Sequence, residues 1–196
     1  MSKNWSLILV VAFTLGFGVK AYLDSQHKLA AESTAPLALL GENQQAVQLF
    51  DLADPRIRIV YFGFTRCPDV CPTSLAMLSA ALNQVDDNAK SQLRPMFISL
   101  DPERDDAKLA AQYAHYFHPM IEGASGSIET TQQLAQKYGV IFRKTELPNS
   151  ELKYTLDHSS YFYFLQPDGT LINKVPHTQD PAPIVDAIQK VIHSKG

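Results

Sequence analysis

The apolar run from Arg58 to Phe64 ends on a turn carrying both of the chain's cysteines, and no other stretch constrains the fold as much. A run of this kind has no polar face to turn to water, so it reads as a central strand covered on both sides. Gly63-Phe-Thr-Arg-Cys67-Pro-Asp-Val-Cys71-Pro-Thr73 follows. Leu75, Leu78 and Leu82 then share one face of a helix from about Thr73 to Val85. A second apolar strand, Arg94–Leu100, comes next, as expected of a strand–helix–strand unit.

The pattern continues. Asp101-Pro102-Glu103 reads as the capped start of a second helix that stops near Phe117, ahead of Pro119. Gly123-Ala-Ser-Gly126 reads as a loop, and Ser127 opens a third helix through Lys137 that Gly139 closes. Val140–Lys144 is a short strand. Tyr161–Leu165 and Leu171–Val175 flank a Pro167-Asp-Gly turn, a strong hairpin signal. Asp180 and Pro181 begin a last amphipathic helix ending near His193. Parallel strands first and a hairpin afterwards give an α/β fold, a mixed central β-sheet flanked by helices on both faces. That is the thioredoxin-like layout, with the cysteine turn at the end of the first central strand.

The N-terminus predicts a membrane anchor. Trp5 to Val19 is almost wholly apolar and lies between Lys3 and Lys20. With Ala21–Leu23 it reaches roughly the 20 residues a spanning helix needs. Val19-Lys20-Ala21 is a poor signal-peptide cleavage site, which favours an uncleaved anchor. The expected organisation is a transmembrane anchor over 1–23, a linker over 24–35 and one domain over 36–196. Lys3 places the short N-terminus in the cytoplasm and the domain on the exported side. The apolar fraction of 45% and charged fraction of 19% are those of a globular protein, and the net charge is −3. No basic cluster is long enough to track a phosphate backbone, so nucleic acid is not an expected partner.

Two thiols at a strand-to-helix turn point to redox chemistry or a soft metal. A residue before proline avoids the α region, so extended geometry is expected at both Cys67 and Cys71. Cys71 then lies against a helix N-terminus, whose partial positive charge favours a thiolate. Three intervening residues make a wide loop that suits both a disulfide and a shared metal ion. For two thiolates the matching ion is Cu(I), often with an imidazole as third ligand. Structural zinc usually wants four protein ligands, and there is no third cysteine.

Six histidines compete for that place. His27 lies in the linker, His193 at the C-terminus, His115 and His118 at the end of the second helix, and His177 in a loop after Pro176. His158, just before Tyr161–Leu165, lies where a thioredoxin-like sheet brings a loop across the cysteine turn. A loop histidine taken alone is more often a surface residue than a ligand; that placement brings the two readings level and makes His158 the leading candidate. Met77, Met96 and Met120 read as core. Asp69 and Asp157 are candidates for tuning the site or for plain solvated carboxylates, and adjacent residues on an extended segment point apart. Arg104 and Asp105 are explained nearly as well by a charged helix start.

Gly63-Phe-Thr-x-Cys67-Pro-Asp-Val-Cys71-Pro, Asp101-Pro-Glu-Arg-Asp105 and Tyr154-x-x-Asp-His158-Ser together resemble the signature stretches of the Sco/SenC family. The likeness runs over residues 36–192 in the family's order and spacing. These are membrane-anchored, thioredoxin-like copper proteins of cytochrome c oxidase assembly. The resemblance implies that Cys67, Cys71 and His158 bind one copper ion, as Cu(I) and Cu(II). It implies delivery of copper to, or reduction of cysteines in, the CuA centre of oxidase subunit II. It also implies a location on the bacterial inner membrane facing the periplasm, or in the mitochondrial intermembrane space, the bacterial setting being favoured. Other periplasmic copper chaperones and thiol reductases are then further partners, and the protein is a metallochaperone before it is an enzyme. The rival readings are a membrane-anchored thiol–disulfide oxidoreductase and a copper or redox sensor. Against the first, the spacing is not Cys-x-x-Cys, the only Trp is Trp5, and Asp157-His158-Ser159 stands where such enzymes carry a cis-proline.

Overall fold

The computed structural model describes residues 18–20 and 37–194. The expected anchor and linker, and with them His27, lie almost wholly outside the described residues. Among the described residues no helix is long and apolar enough to cross a membrane. A compact unit spans Leu37–Gly196.

Strands β1 (Leu39–Leu40), β2 (Ala46–Val47), β5 (Glu122–Gly126), β4 (Leu93–Ser99), β3 (Ile57–Gly63), β8 (Tyr161–Leu165) and β9 (Leu171–Pro176) form a seven-stranded sheet in the order β2-β1-β5-β4-β3-β8-β9. β3, β4 and β5 are parallel, and β8 and β9 add an antiparallel hairpin beyond β3. The thioredoxin-like, mixed-sheet expectation holds. Every residue of β3 is buried, as its unbroken pattern requires. That includes Arg58, whose guanidinium donates to the carbonyls of Leu49, Asp51, Asp54 and Arg56. Asp54 also faces it at 3.6 Å, so this buried charge is solvated by backbone oxygens and one carboxylate. Helices α1 (Val70–Gln84), α2 (Asp87–Ser91), α3 (Ala107–Phe117), α4 (Ile128–Tyr138) and α5 (Ala182–His193) complete the fold.

Several local expectations are corrected. Gly123–Gly126 is no loop but the body of β5, pairing with β4 and β1. Its small residues follow from close packing, because a Cβ on Gly123 would lie 2.1 Å from the Ala110 carbonyl oxygen of α3. The second helix begins at Ala107 on an Asp106 cap, not at Asp101. Asp101–Arg104 is a turn closed by the Arg104 and Asp105 amides on the Asp101 carbonyl, at 3.0 and 2.8 Å. Cys71 lies inside the first turn of α1 and not in an extended segment before it. Pro72 is tolerated there because the first amides of a helix have no intrahelical partner to lose. The strand expected at Val140–Lys144 is β6, Phe142–Glu146. Among the described residues it pairs only with β7 (Tyr154–His158), outside the main sheet, and His158 is therefore on a strand end instead of in a loop.

Candidate metal centre

The sheet register brings the cysteine turn and His158 together. β8 runs antiparallel to β3 with Tyr61 opposite Phe162, so the residues just before Tyr161 lie beyond the C-terminal end of β3. The cysteine turn leaves β3 at that same end, where open α/β sheets hold their ligands. Cys67 Sγ, Cys71 Sγ and a nitrogen of His158 all lie within 4.8 Å of one another. His158 Nε2 is 3.4 Å from Cys71 Sγ, although 87 positions separate the two in the chain. No other cluster of three or more metal-ligating His, Cys, Asp or Glu side chains occurs among the described residues.

The surroundings of the three side chains differ. Both thiols are free, Cys71 buried and Cys67 partly open to solvent. Gly63 leaves room for the inner sulfur, since a Cβ there would stand 3.0 Å from Cys71 Sγ. The Cys71 amide donates to Cys67 Sγ at 3.3 Å. Hydrogen bonding from Cys71, helped by His158 and the amides of Cys71 and Asp69, outweighs burial and holds the Cys67 thiol down to about 4. Its partner moves the opposite way. Cys71 is pushed well above the ordinary thiol range because it donates to Cys67 and is buried beside that charge. The pair thus keeps one thiolate at the rim and one proton inside. His158 Nδ1 donates to the Ser159 carbonyl at 3.1 Å, which turns Nε2 toward the sulfurs. Phe64 and Tyr61 pack against the imidazole in T-shaped arrangements, with ring centroids 5.9 and 6.4 Å away.

This asymmetry sets a pH profile. In the reduced, metal-free protein, alkylation by iodoacetamide is expected at Cys67 and not at buried Cys71. Its rate should stay flat from neutral pH into mild acid and fall only as the pH nears 4, where the lowered thiolate takes its proton. Mass spectrometry of the alkylated peptide checks both statements. A rate that climbed toward pH 9, the ordinary thiol value, would reject the assignment.

The remaining candidates separate cleanly. Asp157 faces away, accepting from Thr145 Oγ1 at 2.6 Å and lying 3.4 Å from Arg143, as the alternation of a strand requires. Asp69 is an exposed turn carboxylate whose nearest partner is Thr73 Oγ1 at 3.4 Å. Met96 is core. His115 lies 4.0 Å from Glu42, His118 accepts from the Met120 amide, and His193 bonds the Gln189 carbonyl. His177 pairs with Ser74 Oγ at 2.7 Å, one turn along α1 from Cys71, and does not join the cluster.

Asp105 has a larger part than a helix cap. It is fully buried, and its carboxylate accepts from the Thr65 amide at 2.8 Å, from Thr65 Oγ1 at 2.6 Å and from Ser99 Oγ at 2.8 Å. It thereby pins the cysteine turn two residues before Cys67. No sequence signal joins positions 40 apart; only the shared ends of β3 and β4 do so.

A sequence profile described as SCO1/SenC matches residues 25–193. The chain belongs to the SCO1/SenC family. It is 31% identical over 199 residues to the mitochondrial SCO1 homolog 1 of Arabidopsis thaliana, covering 92% of this chain and 59% of that protein. To the Schizosaccharomyces pombe protein sco1 it is 33% identical over 178 residues, 84% of this chain and 68% of the relative. To the mitochondrial SCO2 of Saccharomyces cerevisiae it is 32% identical, covering 71% of this chain and 46% of that protein. The chain thus spans about half the length of several of its curated relatives. Among solved structures, copper-bound Arabidopsis ScoI superposes with a TM-score of 0.72 at 32% identity, covering 82% of this chain and 98% of that one. Copper-bound yeast Sco1 gives 0.68 at 30% identity, covering 82% and 88%.

Proposed function

We propose that this SCO1/SenC protein is a membrane-anchored copper chaperone that binds one copper ion through Cys67, Cys71 and His158. The observation that carries the reading is the convergence of two free thiols and one imidazole nitrogen within 4.8 Å. Two thiolates and an imidazole are a soft set that suits Cu(I) and can also hold Cu(II). Relatives of about 30% identity have copper bound in their crystals, which supports carrying the metal over to this chain. A cargo ion has to leave again. One ligand on the partly open rim of the turn and another on a separate ribbon suit release better than a closed four-ligand cage would.

The destination we infer is the CuA centre of cytochrome c oxidase subunit II, with the domain on the exported side of the membrane. The same two thiols can also serve as the reductant of that centre's cysteines: oxidised together to a disulfide, they release two electrons and two protons. Thiol exchange is on this view a second use of the copper ligands.

Copper titration of the reduced, full-length protein in detergent tests the reading. One equivalent per chain is expected, with thiolate-to-Cu(II) absorption and a Cu(II) EPR signal showing nitrogen and sulfur ligation. Disulfide reduction of insulin at a good rate, indifferent to copper, would instead favour the oxidoreductase. Deletion should lower oxidase activity in the cell and added copper should restore it; a sensor would leave the enzyme intact and alter its expression.

A further inference from the structure

His158 rides on β7, and among the described residues β7 is paired only with β6. Across this two-stranded ribbon Leu156 is the one buried residue. Isolated ribbons are marginal in water, so the place of the imidazole depends on how the ribbon is tied to the domain. At the His158 end, β6 and β7 are joined to each other: the Ser159 amide donates to the Ile141 carbonyl at 2.9 Å, and the Ile141 amide to Ser159 Oγ at 3.1 Å.

The other end is fastened to the turn after β4. The Tyr154 hydroxyl donates to Asp101 Oδ1 at 2.7 Å. The Arg104 guanidinium lies over the Tyr154 ring, 3.5 Å from its centroid, and donates to the carbonyls of Leu152 and Tyr154, each at 3.0 Å. Its Nε meets Asp101 Oδ2 at 2.5 Å. A charged turn serving only as a helix start would leave these side chains in water, yet Arg104 and Asp101 are only 11% and 3% exposed. The next residue, Asp105, holds the cysteine turn through Thr65.

We propose that Asp101, Arg104 and Tyr154 are positioning residues for His158, so that the single turn Asp101–Asp105 sets the spacing between the imidazole and the cysteine turn. The proposal rests on Cys67, Cys71 and His158 being the metal ligands. Asp105 holds one arm of the site, and the Asp101–Arg104–Tyr154 latch holds the other. Breaking the latch leaves all three ligands present but lets the ribbon carrying His158 lift.

The test uses reduced, metal-free, full-length protein with the substitutions Tyr154→Phe and Arg104→Gln, followed by hydrogen exchange. Amides of residues 142–158 are expected to exchange about tenfold faster, since each change removes hydrogen bonds to or from a charged group at the ribbon's tie. Amides of β3 and β4 should keep their wild-type rates. After Cu(II) loading, the EPR signal should show weakened nitrogen coupling with both thiolates retained. Arg104→Lys should not restore either readout, because a single ammonium cannot stack flat on Tyr154 while one nitrogen meets Asp101 and another reaches both carbonyls. Ribbon exchange unchanged in both variants, or raised equally throughout β3 and β4, would overturn the proposal. If Arg104→Gln fails to fold, Tyr154→Phe decides alone. A wild-type protein that bound no copper, with the exchange result intact, would overturn the copper reading and leave the latch standing.

Discussion

His158→Ala is expected to lower copper affinity by at least about 100-fold, and Cys67→Ala and Cys71→Ala to cause comparable losses. Changing a residue that only hydrogen-bonds to a metal ligand commonly costs a site about 10- to 100-fold in affinity, so removing a ligand itself should exceed that range. Each substitution leaves two donors where three converge within 4.8 Å. The loss of His158 is the sharpest of the three tests. It spares both thiols, and with them the redox chemistry that a plain oxidoreductase would need. The fold should survive, because the side chain is only partly buried at the end of an outlying strand. Competition with a chelator of known Cu(I) affinity, beside the Cu(II) spectrum, measures the effect. Full Cu(I) affinity with an unaltered Cu(II) spectrum in His158→Ala would reject the three-ligand site.

Gly123→Ala is expected to destabilise the domain by about 3 kcal/mol or more, at the upper end for overpacking a core. Gly123 lies in β5 where α3 crosses it. A methyl group there would meet the Ala110 carbonyl oxygen at 2.1 Å, the Ala110 carbonyl carbon at 2.4 Å and Ala111 Cα at 2.5 Å. These are backbone atoms, so no rotamer change relieves the clash and the helix has to lift from the sheet. A fall of roughly 6–12 °C in Tm follows for a domain of this size. Thermal unfolding followed by circular dichroism checks it, and a fall of less than about 2 °C would mean that α3 can shift at little cost. Lifting α3 also disturbs Asp105, which precedes it, so some loss of copper affinity should accompany the lower Tm.

How far the chain could be read without its structure differs from place to place. β3, β8 and β9 were legible because burial and alternation are local properties of a few adjacent side chains. The same holds for the caps of α4, where Ser127 accepts from the Thr130 amide and Gly139 takes the left-handed conformation at φ 64°. Gly123–Gly126 was misread because glycine and serine usually mark a loop; here their smallness answers to a helix packed on top. Asp101-Pro-Glu misled in the same way. Its cap-like pattern was genuine, but the carboxylate was already taken by Arg104 and Tyr154.

The cysteine turn is written in eleven consecutive residues, and the motif that includes His158 marks the third member of the cluster. Local order suffices for these because a strand, a turn and a helix start are made by neighbours in the chain. The tie from Asp105 to Thr65 spans 40 positions, and that from Tyr154 to Asp101 spans 53. Which thiol keeps its proton depends on burial and on the partner sulfur's position. Those are properties of the packed molecule. They exist only once β3, β4 and the ribbon stand side by side, because a hydrogen bond or a desolvated charge is set by distance in space and not by distance along the chain.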